Sequence, residues 1–385
     1  MYNAATDHDP GLATLSDYFN QNRWTACESL IKAFLSKTVI KGSNRMTSIK
    51  SKAILAAAVS TFATTAIADG VLNLYSSRHY DTDERLYSDF TDMTGITVNR
   101  IEANADELIA RMQAEGANSP ADVLLTVDTS RLERAKNAGV LQSIDSSVLE
   151  TRIPESLQDA DNQWFGFSQR ARIIFYDKTD VTNPPMDYVA LADPAYEGLV
   201  CHRSSTNVYS QTLLSAVIEN YGTEAATNWA QGFVNNFARD PQGGDTDQLR
   251  GLVSGECDIS ISNTYYFARA LRRDVDGLNA EALANIGWVF PAQNAEGAHM
   301  NLSGGGVAAN APNRENAVLF LEYLASDQAQ AYFSAGNDEY PAVAGGGLSP
   351  SVAALGLFRP DAVDLSEVAK NVPEAQMIFD QVGWE

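Results

Sequence analysis

The chain has 385 residues, of which 45% are hydrophobic and 9% aromatic, a composition typical of a soluble globular protein with two or three domains. Its formal net charge of −22 argues against nucleic acid or an anionic membrane surface as a binding partner. The charge suits a protein with a cationic ligand, and it suits equally well a protein surface adapted to salt water.

Residues 46–68 have the pattern of a secretory signal peptide. They begin with a methionine and two lysines, continue with an apolar stretch rich in Ala and Thr, and end in Ala-Ile-Ala. Such a signal belongs at a true N-terminus. We therefore expect translation to start at Met46, residues 1–45 to be a start-site artefact, and the exported protein to begin at Asp69.

Strands and helices alternate through the first hundred residues after this signal. Apolar periodicity and terminal glycines predict strand 71–77, helix 83–95, strand 96–103, helix 105–116, strand 121–127 and helix 130–139. Repeating βα units with nearly continuous apolar strands imply a mainly parallel, doubly wound sheet. In such sheets ligands bind beyond the carboxyl ends of the strands.

A second series of elements follows a strand predicted at 171–178. In chain order it contains strand 199–205, helices 210–222 and 224–237, a helix, strand and helix within 246–273, strand 286–291, an extended segment at 297–312, and helices 314–326 and 327–336. Two α/β domains joined by extended segments place a cleft between them, and such clefts are favoured binding sites.

Four tyrosines stand at predicted strand–helix junctions: Tyr80, Tyr209 and the adjacent pair Tyr265 and Tyr266. A single tyrosine at such a place is more often a half-buried ring with its hydroxyl hydrogen-bonded. Only the four tyrosines together indicate a ligand site. A phenolate is a hard, anionic oxygen ligand that suits Fe³⁺. Free tyrosine has a pKa of about 10, and only a strong Lewis acid displaces its proton at neutral pH.

Cys201 and Cys257 are the cysteines that remain after the leader, which contains Cys27. In an exported protein an even pair of cysteines indicates one disulfide. Two buried free thiols are the alternative.

No catalytic residues are predicted. The sequence contains no HExxH, GxxxxGK[ST] or GxSxG motif, and no Ser or Cys has a recognisable nucleophile–base arrangement. The protein is therefore expected not to be an enzyme. A metal-dependent hydrolase that uses His79 with Asp81 or Asp83 is the least favoured alternative.

Five stretches together resemble the periplasmic ferric-iron-binding proteins of bacterial ABC importers. They are LYSSRHYDTDERLYSDF, VCHRSSTNVYSQTLL, FARDPQGGDTDQLRGLVSGECDISISNTYYFARAL, HMNLSGGGVAANAPN and AGNDEYPA. The resemblance runs from about residue 71 to about residue 380. It implies a type II periplasmic binding protein, with two doubly wound α/β lobes joined by two hinge strands and a ligand cleft between them. Lobe 1 is then expected at 69–172 and 298–345, and lobe 2 at 173–297 and 346–385.

The resemblance also implies the ligands of the ferric ion. Tyr80, Tyr209, Tyr265 and Tyr266 match the ligand positions of the subgroup that needs no carbonate or phosphate, and His79 is a ligand in some relatives and a neighbour in others. In similar proteins the cysteine before the RSS motif pairs with that of GECDI, which supports the disulfide.

Four arginines near these motifs are candidates to offset the charge of the phenolates: Arg78, Arg172, Arg203 and Arg269. Arg269, one helical turn after Tyr265, is the best of them. Most of the others are expected in surface salt bridges.

The family further implies a periplasmic, monomeric protein that delivers Fe³⁺ to an ABC permease in the inner membrane. The alternative is the same fold binding an organic cation such as thiamine or a polyamine, which aromatic rings hold by cation–π contact.

Overall fold

The computed structural model describes residues 70–78 and 80–385, except for the side chain of Asp81. The signal-peptide and start-site predictions, and His79, lie outside the described residues. Within the described part of the chain, no helix combines the length and apolarity needed to cross a membrane.

The described residues form a sheet of nine strands in the order β2-β1-β3-β8-β4-β6-β5, with β7 and β9 also paired to β4. The strands are β1 Gly70–Ser76, β2 Ile96–Glu102, β3 Val123–Val127, β4 Phe165–Asp177, β5 Val200–Cys201, β6 Ile259–Asn263, β7 Ile286–Val289, β8 Met300–Val307 and β9 Tyr340–Pro341.

The strand pairing is mixed, so the expectation of a mainly parallel sheet is wrong. β1 is parallel to β2 and β3, and β5 is parallel to β6, as βα connections require. The long strand β4 is antiparallel to β8 in its first half and to β6 in its second half. β4 thus runs through both parts of the sheet. β8 follows β7 with no helix between them, so the rule that a βα connection gives parallel strands does not apply to it.

Thirteen α-helices cover the two parts of the sheet in the described residues. They are α1 Glu84–Thr94, α2 Ala105–Glu115, α3 Thr129–Asn137, α4 Ser147–Arg152, α5 Val208–Tyr221, α6 Thr223–Asn235, α7 Asp245–Ser254, α8 Thr264–Arg272, α9 Arg314–Leu324, α10 Asp327–Asn337, α11 Pro350–Leu355, α12 Leu365–Lys370 and α13 Val372–Val382.

Most predicted elements are found within a few residues of their expected ends. Gly95 ends α1 in the left-handed conformation, at φ 77°, as a terminal glycine is expected to do. The strand predicted at 171–178 is longer than expected, since it begins at Phe165. The strand predicted at 199–205 is shorter, since only Val200 and Cys201 are extended in it. The chain leaves the sheet after Cys201 to reach Asn207, whose side chain caps α5.

Separate hydrophobic cores pack against the first and second halves of β4. One core includes Leu74 of β1 and Phe90 of α1. Along the second half of β4, successive side chains point to opposite faces, so Ile174 packs into one further core and Phe175 into another. The molecule is thus a two-lobed α/β protein with helices on both faces of its sheet, and the predicted fold class is confirmed.

The disulfide between Cys201 and Cys257 is present, with its Cα atoms 5.7 Å apart. It joins the end of β5 to the loop before β6, and β5 leads directly into the segment that carries Tyr209. The backbone of Gly251 packs against the bridge, because an added Cβ there would lie 3.0 and 3.1 Å from the two sulfur atoms.

Replacing both Cys201 and Cys257 with Ser should lower the free energy of unfolding by about 4 kcal/mol, because the bridge closes a loop with a sequence separation of 56 residues. Urea unfolding of the variant and the wild-type protein, each with and without dithiothreitol, measures the difference. A wild-type midpoint that is insensitive to the reductant and equal to that of the variant would show that the bridge contributes nothing.

Candidate functional site

Three of the four junction tyrosines stand in the first turn of a helix. Tyr209 is the second residue of α5, and its backbone N–H donates to the side chain of Asn207 at 2.9 Å. Tyr265 and Tyr266 are the second and third residues of α8, which begins directly after β6. The free N–H groups of a helix N-terminus favour a negatively charged ligand nearby, and all three tyrosines lie in that part of their helix.

The structure brings these three rings together. The rings of Tyr265 and Tyr266 are stacked, with their centroids 4.2 Å apart. The hydroxyl oxygens of Tyr209 and Tyr265 are 3.3 Å apart, although the two residues are 56 positions apart in the chain. Tyr265 is only 2% exposed and Tyr209 8%. Tyr266 is partly exposed. The adjacent phenols after β6 therefore lie beside a third phenol from α5, at a place where two of the three are buried.

Tyr80 joins this group through an arginine that faces several rings. The guanidinium carbon of Arg269 lies 5.7 Å from the ring centroid of Tyr80, 5.4 Å from that of Tyr265 and 6.0 Å from that of Tyr266. The guanidinium of Arg78 lies 4.9 Å from the ring of Tyr80. All four contacts are within the range of cation–π attraction.

Tyr209 lies among three guanidinium groups. The distances from its ring centroid are 5.7 Å to Arg170, 5.7 Å to Arg172 and 5.3 Å to Arg203. All three guanidinium groups are within cation–π range of this one ring. The four arginines named from the sequence are therefore all found beside the tyrosines.

The carboxylate of Asp245 holds two of these arginines in place. It accepts a hydrogen bond from Arg172 at 2.9 Å and another from Arg203 at 3.2 Å. It also accepts from the backbone N–H of Asn263, at the end of β6, at 2.8 Å. The side chains of Asp245 and Arg172 are 0% and 2% exposed, so the expectation of a surface salt bridge is wrong here.

Glu339 holds two further arginines in place, Arg78 and Arg170. Its carboxylate is 3.3 Å from a guanidinium nitrogen of Arg78 and 3.6 Å from one of Arg170. It also accepts hydrogen bonds from Ser168 at 2.8 Å and Ser303 at 3.3 Å. All these side chains are buried, so the arginines keep a fixed orientation.

Arg170 was missed by the sequence analysis. It is 1% exposed and donates to Ser303 at 2.8 Å. The signal was available, because Arg170 and Arg172 are two residues apart in one strand and such residues face the same side. A functional role for Arg172 therefore predicted one for Arg170.

Burial raises the pKa values of three of the phenols, those of Tyr80, Tyr265 and Tyr266. Burial, with the neighbouring Tyr209 and Glu339, raises the pKa of Tyr80 to about 12. Burial is also the main reason that the pKa values of Tyr265 and Tyr266 lie well above that of free tyrosine, and Tyr209 adds to both shifts. A ligand that binds phenolates here must displace these protons.

Carboxylates and imidazoles do not form a competing metal site in the part of the chain that is described, since no three His, Cys, Asp or Glu side chains are grouped to hold an ion. Asp83, a residue of the hydrolase alternative, accepts hydrogen bonds from Arg78 and Asn337. Its carboxylate is therefore already engaged.

The two-lobed fold and the buried site at the ends of its strands define a solute-binding protein of the type II class. The chain belongs to the bacterial extracellular solute-binding protein family, whose model matches residues 85–360.

Particular relatives narrow this class. The chain is 48% identical over 315 residues to iron uptake protein A1 of Synechocystis, an alignment that covers 82% of this chain and 87% of the relative. It is 28% identical over 292 residues to the major ferric iron-binding protein of Neisseria meningitidis, covering 75% and 85% of the two chains. A Trichodesmium FutA structure in complex with iron and citrate superposes with a TM-score of 0.79 at 48% identity, covering 82% of this chain and all of that one.

The raised pKa values predict how the ligand-free protein titrates with alkali. Up to about pH 10.5, the absorbance of tyrosinate at 295 nm should rise equally in the wild-type protein and in Tyr266→Phe, because Tyr266 stays protonated where exposed tyrosines ionise. If the absorbance of Tyr266→Phe near pH 10 is instead lower than that of the wild-type protein by the amount due to one tyrosinate, Tyr266 ionises like an exposed tyrosine.

Proposed function

We propose that this protein captures Fe³⁺ with the phenolate oxygens of Tyr80, Tyr209, Tyr265 and Tyr266 and delivers it to an ABC importer. The observation that carries the proposal is the convergence of phenols from separate parts of the chain, with the hydroxyl oxygens of Tyr209 and Tyr265 3.3 Å apart. His79, next to Tyr80 in the sequence, is proposed as a further ligand.

Charge explains why a trivalent ion fits this site. Each phenol loses a proton on binding, so four phenolates around Fe³⁺ form a centre with a net charge of about −1. Arg269 and the three guanidinium groups around Tyr209 lie close enough to stabilise that negative charge. Protons compete with the metal for the phenolates, and the affinity must therefore fall as the pH falls.

An organic cation fits the same site poorly. Aromatic boxes bind quaternary ammonium groups and thiamine-like rings through open ring faces, usually with an acidic partner. Here guanidinium groups already lie near the rings of Tyr80 and Tyr209, and the nearby carboxylates of Asp245 and Glu339 are bound to arginines. A ligand cation would meet positive charge without the means to remove a proton.

The names of the relatives and the family support a role in transport without catalysis. We propose an exported, periplasmic and monomeric protein whose signal peptide starts at Met46, and a permease of the inner membrane as its partner. The lobes that close on the ion are proposed to be 69–172 with 298–345, and 173–297 with 346–385.

Ferric iron supplied as a weak chelate should bind to the purified protein and produce an orange-red charge-transfer band. Tyr209→Phe, Tyr265→Phe and Tyr266→Phe should each weaken that band and the iron affinity, because each removes an oxygen ligand. The loss should exceed the roughly 10–100-fold that follows from loss of an outer partner of a metal ligand. Absorption titrations with competing chelator measure both quantities.

Tyr75→Phe is the matched control, since Tyr75 is a buried tyrosine whose hydroxyl donates to Glu115 at 3.0 Å, apart from the site. It should leave the band and the affinity unchanged. A wild-type protein that stays colourless and does not retain ferric iron would refute the proposed function.

A further inference from the structure

Residues 336–339, which we call the GNDE turn, connect the segments that carry the proposed ligands. Gly336 and Asn337 are the last residues of α10, and Asp338 follows in the left-handed conformation with φ 61°. The AGNDEYPA motif that contains this turn includes none of the proposed ligands, and all three side chains of the turn are at most 2% exposed. Buried polar side chains without a ligand role call for another explanation.

On one side, the GNDE turn holds the segment that follows Tyr80. The side-chain amide of Asn337 donates to Asp83 at 2.7 Å and its carbonyl oxygen accepts from the hydroxyl of Thr82. Gly336 allows the close approach, because an added Cβ there would lie 3.0 Å from the Cβ of Thr82. Both partners lie within three residues of Tyr80, so these contacts fix the loop that presents its phenol.

On the other side, the GNDE turn holds α8. Arg272 donates to the carboxylate of Asp338 at 2.9 and 2.7 Å and to the backbone carbonyl of Gly336 at 3.0 Å. Arg269 donates to the backbone carbonyl of Asn337 at 3.4 Å. Arg269 and Arg272 share one face of the helix whose first turn contains the tyrosine pair.

The same four residues therefore connect segments that pack in different cores. Phe333 of α10 belongs to the core that contains β1, whereas Phe267 of α8 belongs to a core on the second half of β4. A link at this place sets the distance between a phenol of one lobe and two phenols of the other.

We propose that Asn337 is a positioning residue of the site, which acts through the loop of Tyr80 while Asp338 anchors the same turn to α8. The inference rests on the proposed function, because it assigns this residue to the assembly of the ferric site. Asn337 does not touch the ion.

A double-mutant cycle on the iron-loaded full-length protein tests the part of Asn337. Asn337→Ala should weaken iron binding by about 10–100-fold and alter the charge-transfer band, as loss of an outer partner of a ligand does. In a Tyr80→Phe background the same change should have an effect within about twofold, because the ligand through which Asn337 acts is gone. In a Tyr266→Phe background its effect should persist.

Asn236→Ala is the matched control, since Asn236 is also buried and its amide donates to two backbone carbonyls at 2.8 Å, away from the tyrosines. It should change the stability without changing the band. Thr82→Val is the second variant. It removes the hydroxyl that donates to the side chain of Asn337, and it leaves no cavity in the core because Thr82 is exposed. It should show the same dependence on Tyr80.

Additive effects of Asn337→Ala and Tyr80→Phe, with Thr82→Val likewise additive, would overturn the positioning role while iron binding by the wild-type protein stands. A Tyr80→Phe variant with wild-type affinity would remove Tyr80 from the ligand set and overturn the role of Asn337 with it. Failure of the wild-type protein to bind ferric iron is a separate result, seen before any variant is made, and it refutes the proposed function itself.

Discussion

Burial and the neighbouring phenols hold the protons of Tyr80, Tyr265 and Tyr266 on their oxygens, and the chemistry of the site depends on this constraint. A cation binds only if its attraction for several phenolate oxygens exceeds the cost of removing those protons. Trivalent iron meets that requirement, whereas weakly polarising cations do not. In the proposed mode of binding, the raised pKa values would therefore select for strongly polarising cations and make release sensitive to acid.

The arginines lower the cost of removing the phenol protons but do not abolish it. Asp245 holds Arg172 and Arg203 beside Tyr209. Glu339 holds Arg78 beside Tyr80 and Arg170 beside Tyr209. Each buried carboxylate cancels part of the positive charge that it positions. The site thus avoids an uncompensated cluster of cations, while the guanidinium groups stay beside the tyrosine rings.

Short-range signals in the sequence were enough for most helices, most strands and the four tyrosines, because periodicity, glycine stops and βα junctions are local properties. The helices α4, α11, α12 and α13 were not predicted. The disulfide followed from the count of cysteines and the resemblance. The antiparallel course of β4 and β8 was not predictable from local pattern, because strand direction depends on which distant segments pair. The same reason hid Asn337 and Asp338, whose partners lie about 250 and 66 positions away. Arg170 needed only the alternation along β4.

The most direct measurement is a crystal structure of the iron-loaded protein with anomalous diffraction data collected at the iron absorption edge. If the proposed ligands are correct, we expect one strong anomalous peak within coordination distance of the hydroxyl oxygens of Tyr80, Tyr209, Tyr265 and Tyr266. An iron peak bound by carboxylates elsewhere on the molecule, with these four rings unliganded, would contradict this assignment.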